Sequence, residues 1–110
     1  MKKETVDSEK VVERKLVELV KINGGMCIKL LCDQLIGLPD RMCLFPGHKI
    51  VFVELKTTGR KPKRIQAYMH NKLRALGFRV EVIDTIKGVE QFIDSIISVS
   101  YTHLTLPTIA

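Results

Sequence analysis

The stretch that decides the fold is Gly37-Leu38-Pro39-Asp40-Arg41 together with Ile50-Val51-Phe52-Val53-Glu54-Leu55-Lys56. The second segment is rich in β-branched and aromatic residues, so it predicts a strand. Side chains on a strand alternate between its two faces, which directs Glu54 and Lys56 to one face and Val53 to the other. One face of the strand is therefore predicted to pack, while the opposite face carries a carboxylate and an ammonium group.

The sequence just before this strand predicts an antiparallel partner. Residues 42–45 form a second short β-prone run, and residues 46–49 contain the Pro and Gly that are typical of a turn. A four-residue turn would place Asp40 on the packing face. We expect a three-residue loop to set Asp40 opposite Lys56 and a five-residue loop to set it opposite Glu54. The sequence predicts a loop of odd length, or a bulge near the turn, and leaves open which of the two applies.

At this point the chain resembles the VRR-NUC family (virus-type replication and repair nuclease), a branch of the PD-(D/E)xK phosphodiesterase superfamily, and it is most similar to stand-alone phage members. The resemblance runs from about Glu9 to Ile97. The residues that carry it are Glu13, Gly24-Gly25, Lys29, Gly37-Leu38-Pro39-Asp40-Arg41, Val53-Glu54-Leu55-Lys56, Gly59-Arg60-Lys61-Pro62 and Gln66.

Periodicity along the rest of the chain predicts the other elements. An apolar stripe after Ser8 indicates a helix that ends at Asn23-Gly24-Gly25, and residues 26–32 read as a first strand. Residues 65–76 read as an amphipathic helix that ends at Gly77, residues 78–83 as a strand and residues 86–98 as a final helix. The order is α-β-β-β-α-β-α. The fold class is therefore α/β, and the resemblance implies a restriction-endonuclease-like PD-(D/E)xK core with a central mixed sheet flanked by helices.

Two features of the second helix are predicted as well. Its apolar stripe, Ile65, Met69, Leu73 and Leu76, is expected to pack on the sheet. His70, four residues after Gln66, is predicted to lie on the same helix face; it could meet a phosphate, but it is interpreted as a surface imidazole.

The last residues, 99–110, do not fit this architecture. They resemble the in-frame translation of a transposon adaptor used in sequencing libraries, so residues 1–98 are predicted to be the nuclease-like domain and residues 99–110 a non-native tail. The alternative is a native exposed tail or an edge strand, because apolar residues alternate there.

Composition limits the class of protein. The 110 residues suit one domain, and 18 Lys and Arg against 12 Asp and Glu give a net charge of +6, which favours a polyanionic partner. No apolar stretch reaches the ~18–20 residues that a membrane span needs, so no membrane association is expected. The cysteines Cys27, Cys32 and Cys43 lie in apolar runs without zinc-site spacing, which predicts small buried hydrophobic residues and a reducing, cytoplasmic location (the host cytoplasm if the gene is a phage gene).

Carboxylates that hold a divalent cation are the usual means of polarising a phosphate and activating water. We expect Asp40, Glu54 and the backbone carbonyl of Leu55 to hold Mg²⁺ or Mn²⁺, with no small-molecule cofactor. Lys56 is expected to orient the attacking water or neutralise developing charge. From the resemblance, Gln66 has a positioning role. Glu13 on the first helix is expected to accept a metal-bound water or a second cation.

Basic residues surround these positions in the sequence. The candidates for contacts with DNA phosphates are Lys29, Arg41, Arg60, Lys61, Lys63 and Arg64. The alternative interpretation of residues 60–64 is an ordinary solvated loop, just as Glu54 and Lys56 could be the exposed side of an edge strand.

The hypothesis from the sequence is a divalent-metal-dependent DNA endonuclease. By resemblance it is a homodimer that cuts branched DNA such as Holliday junctions; duplex DNA is the other expected substrate. The alternatives are a non-catalytic DNA-binding module of a phage replication or packaging assembly, and a flap-specific or restriction-like nuclease.

Overall fold

The computed structural model describes residues 6–108, and the side chains of residues 6–98. The elements are α1 (Glu9–Ile22), β1 (Met26–Lys29), β2 (Arg41–Phe45), β3 (Lys49–Leu55), α2 (Arg64–Ala75), β4 (Arg79–Ile83) and α3 (Ile86–Thr108). The predicted order α-β-β-β-α-β-α is therefore confirmed.

The four strands form one mixed sheet in the order β1-β2-β3-β4. The pairs β1–β2 and β2–β3 are antiparallel, and β3–β4 is parallel. The predicted first strand extended to residue 32, but β1 ends at Lys29, because β2 begins only at Arg41 and offers no partner to the residues beyond.

The turn between β2 and β3 contains three residues, since Phe45 pairs with Lys49. The odd length of this loop was predicted, but the expectation that a three-residue loop sets Asp40 opposite Lys56 is wrong. Arg41 pairs with Val53, and continuing this antiparallel register by one residue brings Asp40 opposite Glu54 rather than Lys56. The register thus leads two carboxylates to neighbouring positions on one face of the sheet.

Helices α1 and α3 pack against each other, and α1 also covers β1 and β3. Ser8 is the N-cap of α1, and its hydroxyl accepts a hydrogen bond from the Val11 N–H. The core between these helices and the sheet consists of Val12, Leu16, Val20, Cys43, Phe45, Val51, Val53, Leu55, Ile83, Val89, Phe92, Ile93 and Ile96. This single core fixes which face of β3 is apolar, so Glu54 must project from the other face.

The other face of the sheet carries α2, which contacts β4. The predicted apolar stripe of α2 is only partly confirmed: Met69 and Leu73 are half-buried. Ile65 and Leu76 are exposed, and the fully buried side chain of this helix is His70. The reason lies in the sheet face that α2 covers, which presents the buried Glu54 rather than a wholly apolar surface. The His70 side chain packs on this face. Its burial was not predicted because its position on the helix was interpreted as part of the polar surface.

The predicted cysteine environments are confirmed only in part. Cys43 is buried and Cys27 is partly buried, with their Sγ atoms 3.9 Å apart on paired positions of β1 and β2. Cys32 is exposed, because it lies in the loop after β1 rather than in a longer strand.

Helix α3 extends to Thr108, whereas the sequence predicted its end at Ser98. The edge-strand alternative for this segment is wrong, and residues 109–110 of the predicted tail lie outside the described residues. Among the described residues, no helix is both long and apolar enough to cross a membrane.

Candidate active site

Asp40 lies immediately before β2, at the end of the loop that follows β1. Its carboxylate Oδ2 accepts a hydrogen bond of 2.8 Å from the backbone N–H of Leu55, the last residue of β3. Its backbone carbonyl accepts a hydrogen bond of 2.9 Å from the Leu30 N–H, which closes the loop. Asp40 is therefore anchored at two atoms, and its carboxylate is held against the end of the strand that carries Glu54.

The side chain of Glu54 is almost completely buried, with 1% of its surface exposed. Its Oε2 atom lies 3.0 Å from Nζ of Lys56 and accepts a hydrogen bond of 3.0 Å from Nε2 of Gln66. The Oε1 atom is buried and has no hydrogen-bond partner. A buried carboxylate oxygen is costly to leave unpaired, so Oε1 calls for a partner in addition to the contacts made by Oε2.

Gln66 connects the start of α2 to this carboxylate. Its Oε1 atom accepts a hydrogen bond of 2.8 Å from the backbone N–H of Lys63, so its amide nitrogen must point away from the helix start. That nitrogen donates to Glu54. The helix cap thus fixes the orientation of the amide, and the positioning role of Gln66 in the reaction stays a prediction.

The surroundings of Glu54 make its carboxyl group harder to ionise than an exposed glutamate. Burial raises the pKa of this carboxyl group, and the hydrogen bond from Lys56 opposes that increase. The nearby negative charges of Asp40 and Glu9 raise the pKa further. Glu9 is held near the site because its backbone N–H donates to Oγ1 of Thr57, just after Lys56. The site therefore concentrates negative charge that a cation would neutralise.

His70 is the residue that the sequence interpretation missed. It was expected at the surface, but its side chain is buried, and its Nε2 atom lies 3.8 Å from Oε1 of Glu54. This distance is too long for a hydrogen bond, and both atoms are without partners. Burial lowers the pKa of His70, and the charge of Arg74 lowers it further. The spacing of four residues between Gln66 and His70 did indicate their shared helix face, but it gave no sign that the imidazole is buried against Glu54.

Glu13 occupies a different environment from the other predicted site residues. Its Oε2 atom accepts hydrogen bonds from Nε and Nη2 of Arg41, at 3.2 and 2.9 Å. Nη1 of Arg41 also donates to the backbone carbonyl of Cys27. The structure thus pairs Glu13 with Arg41, while Asp40, Glu54, Lys56 and Gln66 come together elsewhere. The predicted roles of Glu13 in catalysis and of Arg41 in DNA contact stay predictions.

The remaining predicted DNA contacts are at the surface. The basic segment, residues 60–64, connects β3 to α2, and its four cations are all exposed; they are Arg60, Lys61, Lys63 and Arg64. Lys29 is exposed at the end of the edge strand β1. The basic segment leads directly into the helix turn that carries Gln66, so it lies beside the carboxylate site.

The donor set suits a hard divalent cation. Among the described side chains, those of residues 6–98, no group of three His, Cys, Asp or Glu residues could hold a metal ion. The candidate ligands are the two carboxylates of Asp40 and Glu54, with backbone oxygen and water for the other positions. Mg²⁺ is commonly bound by one or two carboxylates and keeps several waters. Together with the unpartnered Oε1 of Glu54, this composition fits Mg²⁺ or Mn²⁺ and does not fit a site of soft ligands.

Comparisons with known proteins agree with this geometry. No family model matches the chain. The chain is 40% identical over 77 residues to "Putative nuclease p44" of Acyrthosiphon pisum secondary endosymbiont phage 1, and the matched region is 70% of this chain and 83% of that protein. A solved structure described as a VRR_NUC domain superposes with a TM-score of 0.74 and 29% identity, over 80% of this chain and 97% of that one.

Proposed function

This chain belongs to the VRR-NUC family of nuclease domains, and from that premise we propose that it is a DNA endonuclease that requires Mg²⁺ or Mn²⁺. The observation that carries the proposal is the buried Glu54 carboxylate, whose Oε1 atom has no partner although the charge of Asp40 is close enough to raise its pKa. A binding-only protein gains nothing from negative charge held beside a phosphate.

Each residue of the site has a role in this proposal. Asp40, Glu54 and the backbone carbonyl of Leu55 would hold the cation, which when bound polarises the phosphate and lowers the pKa of a coordinated water. Lys56 would neutralise charge that develops on the phosphate, since its ammonium group lies on the carboxylate face. Gln66 would keep the Glu54 carboxylate in one orientation through its hydrogen bond.

We further propose that the substrate is branched DNA, such as a Holliday junction, and that two copies of the chain act together. One chain provides one candidate site, so symmetric cutting of two strands needs a second copy. The basic segment would contact the DNA backbone without reading sequence. The free thiols of the chain suit the reducing cytoplasm of a phage host.

The experiment that tests the activity is cleavage of labelled four-way junction, flap, nicked and linear duplex DNA with Mg²⁺, Mn²⁺ or chelator. We expect cutting to require the metal, and its rate to fall by at least about a hundredfold in Glu54→Gln. Glu54 is a proposed metal ligand, and mutation of residues that only hydrogen-bond to metal ligands already costs about 10–100-fold in metal affinity or activity. The matched control is Glu90→Gln on the exposed face of α3, which should cut like the parent chain. DNA binding without cutting in either metal, unchanged by Glu54→Gln, would refute the activity and support a non-catalytic module.

A further inference from the structure

One loop of this chain exposes large aliphatic side chains in an unusual concentration. The apolar loop, residues 31–36, contains Leu31 with 84% of its surface exposed, Leu35 with 52% and Ile36 with 70%. Single exposed aliphatic residues are common on protein surfaces, but several on one short loop are typical of a binding surface. The proposed function uses none of them.

The apolar loop is held at the candidate active site at both of its ends. On the incoming side, Leu30 donates its backbone N–H to the carbonyl of Asp40. On the outgoing side, a Cβ added at Gly37 would come within 2.7 Å of the backbone oxygen of Ile65, so the loop lies against the first turn of α2. Gly37 also has φ +92, which a residue with a side chain rarely adopts. The tip therefore projects from a fixed base that includes a predicted metal ligand.

The charges around the loop decide what it would contact. Ile65 follows the basic segment directly, so the loop base lies beside four exposed cations, and the exposed Lys29 precedes the loop. These positive charges outnumber the one exposed carboxylate within the loop, that of Asp33. Cations next to aliphatic side chains match a nucleic acid, whose phosphates are anionic and whose base faces are apolar. A second copy of this chain would bring the same cations against each other. Three side chains also fall short of the ~800 Å² per partner of a standard protein interface.

We infer that the apolar loop is a wedge, whose residues Leu31, Leu35 and Ile36 insert against unstacked bases at the branch point of the DNA. An aliphatic wedge that enters a continuous duplex must offset an unstacking cost of about a few kcal/mol per step, whereas bases that are already partly unstacked accept it more readily. A branch point offers such bases without that cost. The inference rests on the proposed function for its substrate, and it explains how a short chain could prefer branched over linear DNA.

The test measures base unstacking directly, in chelator so that no cutting occurs. The probes are a four-way junction with 2-aminopurine at the branch point and a linear duplex with 2-aminopurine at its centre. We expect the full chain to raise the fluorescence of the junction probe and leave that of the duplex probe unchanged. The double variant Leu31→Ser/Ile36→Ser should abolish the increase and weaken junction binding by roughly tenfold or more, while duplex binding stays within about twofold.

The control is Leu76→Ser, since Leu76 is 74% exposed at the opposite end of α2 from Gly37. It should behave like the parent chain. The inference is overturned if the double variant keeps the fluorescence increase and the junction preference. It is also overturned if light scattering shows that the double variant turns a dimer into a monomer, because the loop would then be an interface between copies.

Failure of the proposed activity would be recognised separately. If the chain unstacks the junction probe in chelator but cuts no DNA with Mg²⁺ or Mn²⁺, the wedge stands and the nuclease proposal fails. If the chain cuts junctions while the 2-aminopurine signal stays constant, the nuclease proposal stands and the wedge is refuted.

Discussion

The two oxygens of the Glu54 carboxylate have different environments. Oε2 is bonded by Lys56 and Gln66, whereas Oε1 faces Nε2 of His70 across 3.8 Å. A small rotation of either side chain would bring these last two atoms within hydrogen-bond distance. A neutral imidazole with its proton on Nε2 would then donate to Oε1 of Glu54. A cation would bind the carboxylate through its remaining lone pairs. His70 is thus placed to restrict the orientation of the Glu54 carboxylate from the side of α2.

We predict that His70→Ala lowers the free energy of unfolding by about 2–4 kcal/mol, because it removes a fully buried side chain and leaves a cavity under α2. It should also raise the Mg²⁺ concentration needed for half-maximal cleavage. Urea unfolding in chelator and a metal titration of the cleavage rate measure the two effects.

His70→Gln provides a comparison that keeps a donor of similar reach. It should recover most of the metal affinity even where stability is only partly regained. Asn71→Ala, at the exposed neighbouring position, should change neither quantity. A His70→Ala chain with the metal requirement of the parent would show that His70 only fills space.

The residues of the site could be predicted from sequence to different extents. The alternation along β3 was enough to assign Glu54 and Lys56 to one face, since it depends only on strand period. His70 was not predictable in this way, because a helix period does not reveal whether the facing sheet surface is apolar or carries a buried carboxylate. Asp40 needed the turn length, and the register had to be observed before its partner was known.

Among the elements, the helix that packs on an apolar surface was the easier one to predict. The buried positions of α1, Val12, Leu16 and Val20, follow its apolar stripe. The apolar stripe of α2 predicted the same kind of packing. This helix instead exposes Ile65 and Leu76, because the side chains that it directs toward the sheet are Gln66 and His70. A loop replaces the end of the predicted first strand because β2 begins at Arg41, so the pairing of β1 with β2 ends at Lys29.

The basic segment makes a prediction about salt dependence. Lys61→Ser/Lys63→Ser should weaken binding to junction and linear DNA by similar factors and reduce the slope of log K against log salt by roughly two, since each phosphate contact contributes about 0.9. Fluorescence anisotropy in chelator over a range of salt concentrations measures this slope.

The matched control for charge is Lys21→Ser/Lys87→Ser, which removes two exposed cations from α1 and α3. Its slope should equal that of the parent chain. If both double variants reduce the slope equally, net charge rather than the basic segment determines DNA binding.

The C-terminal part of α3 makes a second prediction at this scale. Within residues 86–98, where the side chains of this helix are described, the buried residues are Val89, Phe92, Ile93 and Ile96. A chain that ends at Ser98 keeps all four of these core residues, so we expect it to unfold within about 3 °C of the full chain. Thermal unfolding by circular dichroism is the measurement. A chain that ends at Gln91 lacks three core residues and should not fold, while a large loss in the Ser98 chain would show that residues 99–108 stabilise the fold.

Over the whole molecule, a chain of net charge +6 surrounds two neighbouring carboxylates. The positive exterior attracts a polyanion, while Asp40 and Glu54 would repel its phosphates if no cation lay between them. Repulsion between the two carboxylates also destabilises the metal-free fold, because the charge of Asp40 contributes to the raised pKa of Glu54. Cation binding should therefore be linked both to DNA binding and to stability.

We predict that Mg²⁺ stabilises the chain by about 2.7 kcal/mol at a hundred times its dissociation constant, which is roughly 10–20 °C in the unfolding temperature of a domain of this size. Asp40→Asn removes one ligand and one repulsive charge, so its unfolding temperature in chelator should equal or exceed that of the parent, while Mg²⁺ should add almost nothing. Asp94→Asn, an exposed change on α3, should respond to Mg²⁺ like the parent. Differential scanning fluorimetry at one fixed protein concentration measures these differences without DNA. If Mg²⁺ raised the unfolding temperatures of Asp40→Asn and the parent equally, the cation would bind somewhere other than at Asp40 and Glu54.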